Sequence, residues 1–167
     1  GIITYKNSLS SPTIWITGKA RINVGNSEST EENLQIYGDY YGIYIDDLST
    51  TLSGTYVNAI NAGLISANTY AVYFTSFNSV GAIMKLNVYG GTIKGSTGIY
   101  ASVQYSARTR VSLTIGNSKS TINNLKIVST SATGYGISTS GSSTSPSSLI
   151  INGGFIGSID STYGHTY

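Results

Sequence analysis

Aliphatic and polar residues alternate along this chain in short runs. Ile22-Asn23-Val24, Leu34-Gln35-Ile36, Leu86-Asn87-Val88, Leu113-Thr114-Ile115 and Leu125-Lys126-Ile127 each place a polar side chain between two aliphatic ones. Period-two alternation over three to five residues is the mark of a short strand with one face buried. Thr, Val, Ile and Tyr dominate these runs, and Gly, Asn and Ser separate them, as strands and turns require. No stretch shows the 3.6-residue periodicity that a helix needs, so the pattern predicts an all-β chain.

The runs are not independent of one another. A Gly-or-Ala, aliphatic, aromatic pattern recurs at Gly42-Ile43-Tyr44-Ile45, Ala71-Val72-Tyr73-Phe74 and Gly98-Ile99-Tyr100-Ala101, with weaker copies at Gly136-Ile137-Ser138-Thr139 and Gly164-His165-Thr166. Successive starts lie 29, 27, 38 and 28 residues apart, giving an underlying period of about 28. Two further strand signals precede each copy. A second, longer identity lies 91 residues apart: Val24-Gly25-Asn26-Ser27 corresponds to Ile115-Gly116-Asn117-Ser118, and Asn33-Leu34-Gln35-Ile36 to Asn124-Leu125-Lys126-Ile127. From Val24 to Ile36, and from Ile115 to Ile127, the gap is 12 residues, against 5 at Ile60–Ile65, Val88–Ile93 and Ile151–Ile156. Two units therefore carry the same seven-residue insertion at the same turn, which a stacked array tolerates.

Three short strands per 28 residues, repeated, predict a right-handed parallel β-helix, a β-solenoid of about five coils. Ile43 and Ile45 are expected inside and Tyr44 outside. Stacked coils would align Ile43, Val72, Ile99 and Ile137 in one interior column and Ile36, Ile65, Ile93, Ile127 and Ile156 in another. Residues 19–167 form the solenoid in this reading, and residues 1–18 a partial coil or an N-terminal cap. An antiparallel sandwich also has short strands but gives no reason for one pattern to recur at a fixed period.

Asn87-Val88-Tyr89-Gly90-Gly91-Thr92-Ile93, Ile151-Asn152-Gly153-Gly154-Phe155-Ile156 and Gly98-Ile99-Tyr100-Ala101 resemble coils of the pectin-lyase-like superfamily of right-handed parallel β-helices. Among these, residues 19–167 look most like the repetitive, adhesin-like surface proteins of Firmicutes. The resemblance implies a bacterial cell-surface or secreted module, a stalk or adhesin, whose partner is a glycan or a host or surface protein. Because the superfamily includes polysaccharide lyases and hydrolases, it also implies an enzyme as the alternative. A phage tailspike-like receptor binder shares the fold.

Composition narrows these options. Charged residues make up only 10% of the chain, against about 25% in an average domain. A formal charge of +2, with lysines spread singly, argues against a nucleic-acid partner. Cys is absent, which removes disulfides and thiolate metal sites. No apolar stretch approaches the ~20 residues of a membrane span. The chain begins Gly1-Ile2-Ile3 and copies its 91-residue block less than twice, as a fragment of a longer exported protein would.

Candidate chemistry is sparse. Asp46-Asp47, at a strand end, is the one adjacent Asp pair, read here as solvated turn acids with a catalytic or cation-binding role as the alternative. Glu28, Glu31 and Glu32 lie on the first insertion, where the second has Lys119, Ile122 and Asn123, a free exchange of charge that suggests solvated decoration. His165 is the sole histidine and sits near the end, so no metal site is expected. Arg108 and Arg110 share one side of a strand-like stretch and are read as solubilising. Ser138–Ser148 is read as a loop outcrop of the fourth coil. No cofactor motif is present. Of 14 tyrosines, Tyr44, Tyr73 and Tyr100 share one outward position in three successive units, flanked by Tyr40, Tyr41, Tyr70 and Tyr105. Such a ladder either stabilises the solenoid through cross-strand pairing or offers a binding strip to a sugar or a protein.

Overall fold

The computed structural model describes residues 1–5, 10–47, 54–76, 81–103, 110–141 and 147–158. The first turn of the chain holds β1 (Ile2–Tyr5), β2 (Pro12–Ile16) and β3 (Asn23–Val24). The second holds β4 (Gln35–Gly38), β5 (Tyr41–Ile45) and β6 (Gly54–Ile60), and the third β7 (Leu64–Ala67), β8 (Tyr70–Ser76) and β9 (Ala82–Val88). The fourth holds β10 (Gly91–Gly95), β11 (Thr97–Val103) and β12 (Arg110–Ile115), and the fifth β13 (Leu125–Ser129), β14 (Tyr135–Ser140) and β15 (Ser148–Ile151). β16 (Phe155–Ser158) begins a sixth. There is no helix among the described residues.

Every third strand joins the same sheet. Sheet A runs β1-β4-β7-β10-β13-β16, sheet B β2-β5-β8-β11-β14 and sheet C β3-β6-β9-β12-β15, and every pairing is parallel. The chain is a β-solenoid of about five coils with three faces. Residues 1–18 contribute β1 and β2, each paired in register with the coil that follows.

The core is built from columns of like side chains. Ile36, Ile65, Ile93, Ile127 and Ile156 align in sheet A, and Ile3 extends them. Ile43, Val72, Ile99 and Ile137 align in sheet B, extended by Ile14. Val24, Ile60, Val88, Ile115 and Ile151 align in sheet C. Ile43, Val72, Ile93, Ile99 and Ile127 are fully enclosed. Size varies along a column to keep it filled: Phe74 stands between Ile45 and Ala101.

Strict alternation fails at the corners. Gly42 and Ile43 are both buried, side by side, before Tyr44 turns outward. A Cβ on Gly42 would sit 2.6 Å from the Ala71 carbonyl oxygen, and one on Gly98 2.6 Å from that of Gly136. The small residue opening each Gly/Ala-aliphatic-aromatic motif is therefore demanded by coil-to-coil contact where sheet A bends into sheet B. The loop expected over Ser138–Ser148 is shorter than expected, since β14 runs to Ser140 and β15 begins at Ser148.

Candidate functional site

Sheet B carries a cluster of aromatic residues on its outer face. Trp15, Tyr44, Tyr73 and Tyr100 are register partners in successive coils. Tyr44 and Tyr73 stack with centroids 4.9 Å apart and planes 12° apart, and Tyr73 and Tyr100 at 4.9 Å and 25°. A second column, Pro12, Tyr41 and Tyr70, runs beside the first. Tyr41 stacks on Tyr70 at 5.6 Å and meets Tyr73 edge-on at 5.2 Å. Tyr40 packs against both Tyr41 and Tyr70. Tyr105 lies outside the described residues.

This stacking has a chemical consequence. Ring separations of 4.9 Å match the spacing of the strands, so the rings largely face one another along the solenoid. Ring edges and hydroxyls are what remain for solvent. The packing also raises the pKa of three of these phenols: burial, then neighbouring tyrosines, pushes Tyr41 up to about 12. Burial raises Tyr44, and Tyr70 moves the same way for the same reason. Tyr41, Tyr44 and Tyr70 thus present neutral hydroxyls at ordinary pH.

Trp15 is different. It meets Tyr44 at 81° instead of stacking on it, and it is 55% exposed. Its indole Nε1 donates to Asp46 Oδ2 at 2.8 Å. Together with Pro12, Ser11 and Tyr44 it lines a shallow pocket of about 250 Å³. A flat, exposed ring whose orientation is locked by a buried carboxylate is a preorganised contact surface.

Asp46 and Asp47 are not the solvated turn acids the sequence suggested. Both are buried, at 1% and 0% exposure. They continue the chain beyond β5 into the corner between sheets B and C, where the next two coils place Thr75-Ser76 and Ser102-Val103. Asp46 accepts from Trp15 and, at 2.6 Å, from Thr17 Oγ1; Asp47 accepts from Ser76 Oγ at 2.7 Å. Thr75 and Ser102 share a hydroxyl contact of 3.0 Å in the same corner. The corner is a hydrogen-bonded polar seam, and its carboxylates serve the fold and the setting of Trp15. No buried side-chain nitrogen or oxygen among the described residues lacks a hydrogen-bond partner.

The other candidates do not converge. Arg110 is exposed at the start of β12, and Arg108, Asp160 and His165 lie outside the described residues. Glu28, Glu31 and Glu32 are exposed on the first insertion. Among the described residues no group of three or more acids or histidines is placed to hold a metal ion, and no helix is long and apolar enough to cross a membrane. The role of Trp15 was missed in the sequence, where residues 1–18 fit the repeat poorly. The available signal was Ile14-Trp15-Ile16, an aliphatic-aromatic-aliphatic run like Ile43-Tyr44-Ile45. Set against protein-family models, curated proteins and solved structures, the chain matches none.

Proposed function

We propose that this chain is a non-catalytic binding module, a stiff β-solenoid that engages a glycan or a protein through the outer face of sheet B. The observation that carries this reading is the unbroken aromatic strip, closed at one end by the clamped and exposed Trp15. A cluster of aromatic rings on one face, with ring edges and hydroxyls left for contact, supplies large contact area at low ordering cost. The resemblance of residues 19–167 to adhesin-like repeats within the pectin-lyase-like superfamily fits a bacterial cell-surface or secreted stalk. The lyase or hydrolase alternative loses its acid pair, because Asp46 and Asp47 are enclosed and hydrogen-bonded.

The test is retention on an array of neutral and acidic glycans and immobilised extracellular-matrix proteins. Trp15→Ala is expected to cut retention at least tenfold with a modest fall in melting temperature, because the indole is a rim group whose loss takes one donor from the enclosed Asp46 and leaves it Thr17. Tyr73→Ala is expected to lose both retention and stability, since four rings pack on it. Retention unchanged in both variants would overturn the reading, as would an array on which the unmodified protein binds nothing.

A further inference from the structure

The two insertions stand at the same corner, between sheets C and A, three coils apart. They cover residues 25–34, between β3 and β4, and 116–124, between β12 and β13. The two intervening coils cross that corner in tight turns, at 61–63 and 89–90. The result is a saddle with two raised walls. With strands about 4.8 Å apart, the walls are separated by about 14 Å. The groove between them has a volume of about 470 Å³.

The walls are preformed, and by the same bonds. Asn26 Oδ1 accepts from the Glu28 amide at 2.9 Å, and Asn117 Oδ1 from the Lys119 amide at 2.8 Å. Ser29 and Ser120 accept from the amides of Asn26 and Asn117 at 3.0 and 2.9 Å. Asn33 and Asn124 each bridge their loop, accepting from Thr30 or Thr121 and donating to the carbonyl of Glu28 or Lys119. Gly25 and Gly116 open the loops with φ of 74° and 76°, a left-handed conformation that side chains resist. The residues identical between the loops build them. The residues that differ include those that meet the groove.

The floor is low because its turns are small, at Ala62, Gly63, Gly90 and Gly91. The strands that lead into and out of its turns, β6, β7, β9 and β10, are paired on both sides, and amides around the turns bond between coils: Asn61 donates to Val24, Tyr89 to Ile60, Gly91 to Asn124 and Thr92 to Gly63. A peptide therefore finds no free edge to extend as an added strand. Recognition falls to side chains. Glu31 reaches from the first wall to accept from Thr92 Oγ1, Tyr89 borders the floor, and Ser27 and Asn123 stand on opposite rims.

From this geometry we infer a second binding site, independent of the aromatic strip, that takes an uncharged oligosaccharide lying across the saddle. One carboxylate, hydroxyls and amides beside a tyrosine pair with vicinal diols and with the apolar face of a sugar. The Glu31 carboxylate disfavours uronic acids. Rigid walls spare the ligand the cost of ordering them.

Titration calorimetry with cellohexaose, mannohexaose, xylohexaose and tri-galacturonate tests the site. At least one neutral oligomer is expected to bind with Kd below 1 mM, and tri-galacturonate more weakly. Asn123→Trp fills the groove from a rim position whose side chain stands outside the loop's hydrogen bonds, and Ala62→Trp fills it from the floor. Each is expected to raise Kd at least tenfold, with circular dichroism and the denaturation midpoint checking the fold. Trp15→Ala is expected to leave this Kd unchanged, which separates the groove from the strip. The inference is overturned if no neutral oligomer binds, if Asn123→Trp binds as tightly as the parent, if tri-galacturonate binds best, or if Trp15→Ala abolishes binding.

Discussion

Asp46 shows how a single side chain joins the interior of this molecule to its surface. Its carboxylate is enclosed yet accepts from an indole that is more than half exposed. Removing it leaves the Trp15 Nε1 and the Thr17 hydroxyl without their acceptor, at a cost of about 1–3 kcal/mol. Trp15 is the only tryptophan, so its emission reports on this one place. Asp46→Ala is expected to lower the fluorescence anisotropy of Trp15 as well as the denaturation midpoint. Unchanged anisotropy would show that the ring is held by Tyr44 alone. Sequence reasoning placed Asp46 in solvent because a strand end usually leads to a turn. It could not see that the corner keeps successive residues inside, as it does at Gly42 and Ile43.

A strand here is stable only between two others. Ile93 is fully buried with Ile65 on one side and Ile127 on the other, whereas Ile3, on the outermost strand, is 46% exposed. Ile93→Ala is expected to cost about 2–5 kcal/mol, as core truncations do, and Ile3→Ala about 1 kcal/mol or less. Chemical denaturation of both variants measures the difference, and equal losses would contradict a column-built core. These columns were legible in the sequence, because Ile65, Ile93 and Ile127 hold the same place in a 28-residue period, and period alone decides who stands above whom. The matching insertions were legible too. The groove between them was not. It depends on two intervening turns staying low, and only the close approach of Gly90 and Gly91 to the coil before, 2.4 and 2.5 Å for an added Cβ, makes that visible.

The molecule distributes its chemistry by face. Sheet B presents stacked aromatic rings, while the corner between sheets C and A presents hydroxyls and amides. The aromatic face also couples the whole fold to alkaline pH. Folding raises the pKa values of Tyr41, Tyr44 and Tyr70 above the ordinary 10.0, so the neutral phenol is favoured in the native state. Their contribution is complete below pH 10 and is lost as pH climbs through the raised values, which for Tyr41 means about 12. The denaturant midpoint is expected to stay level from pH 7 to about 9.5 and to fall beyond 10, while phenolate absorbance lags behind that of free tyrosine. A midpoint indifferent to pH up to 12 would contradict this account.

The equality of the 91-residue interval and three coils turns the solenoid into a ruler. Each further copy of the block, spliced in after β15, would lengthen the rod by about 14 Å and raise one more wall in line with the others. Notches would then recur at constant pitch along a single edge, all opening the same way. A polymer with many identical sugar units could occupy several at once, and avidity would grow with the number of copies while each notch stayed weak.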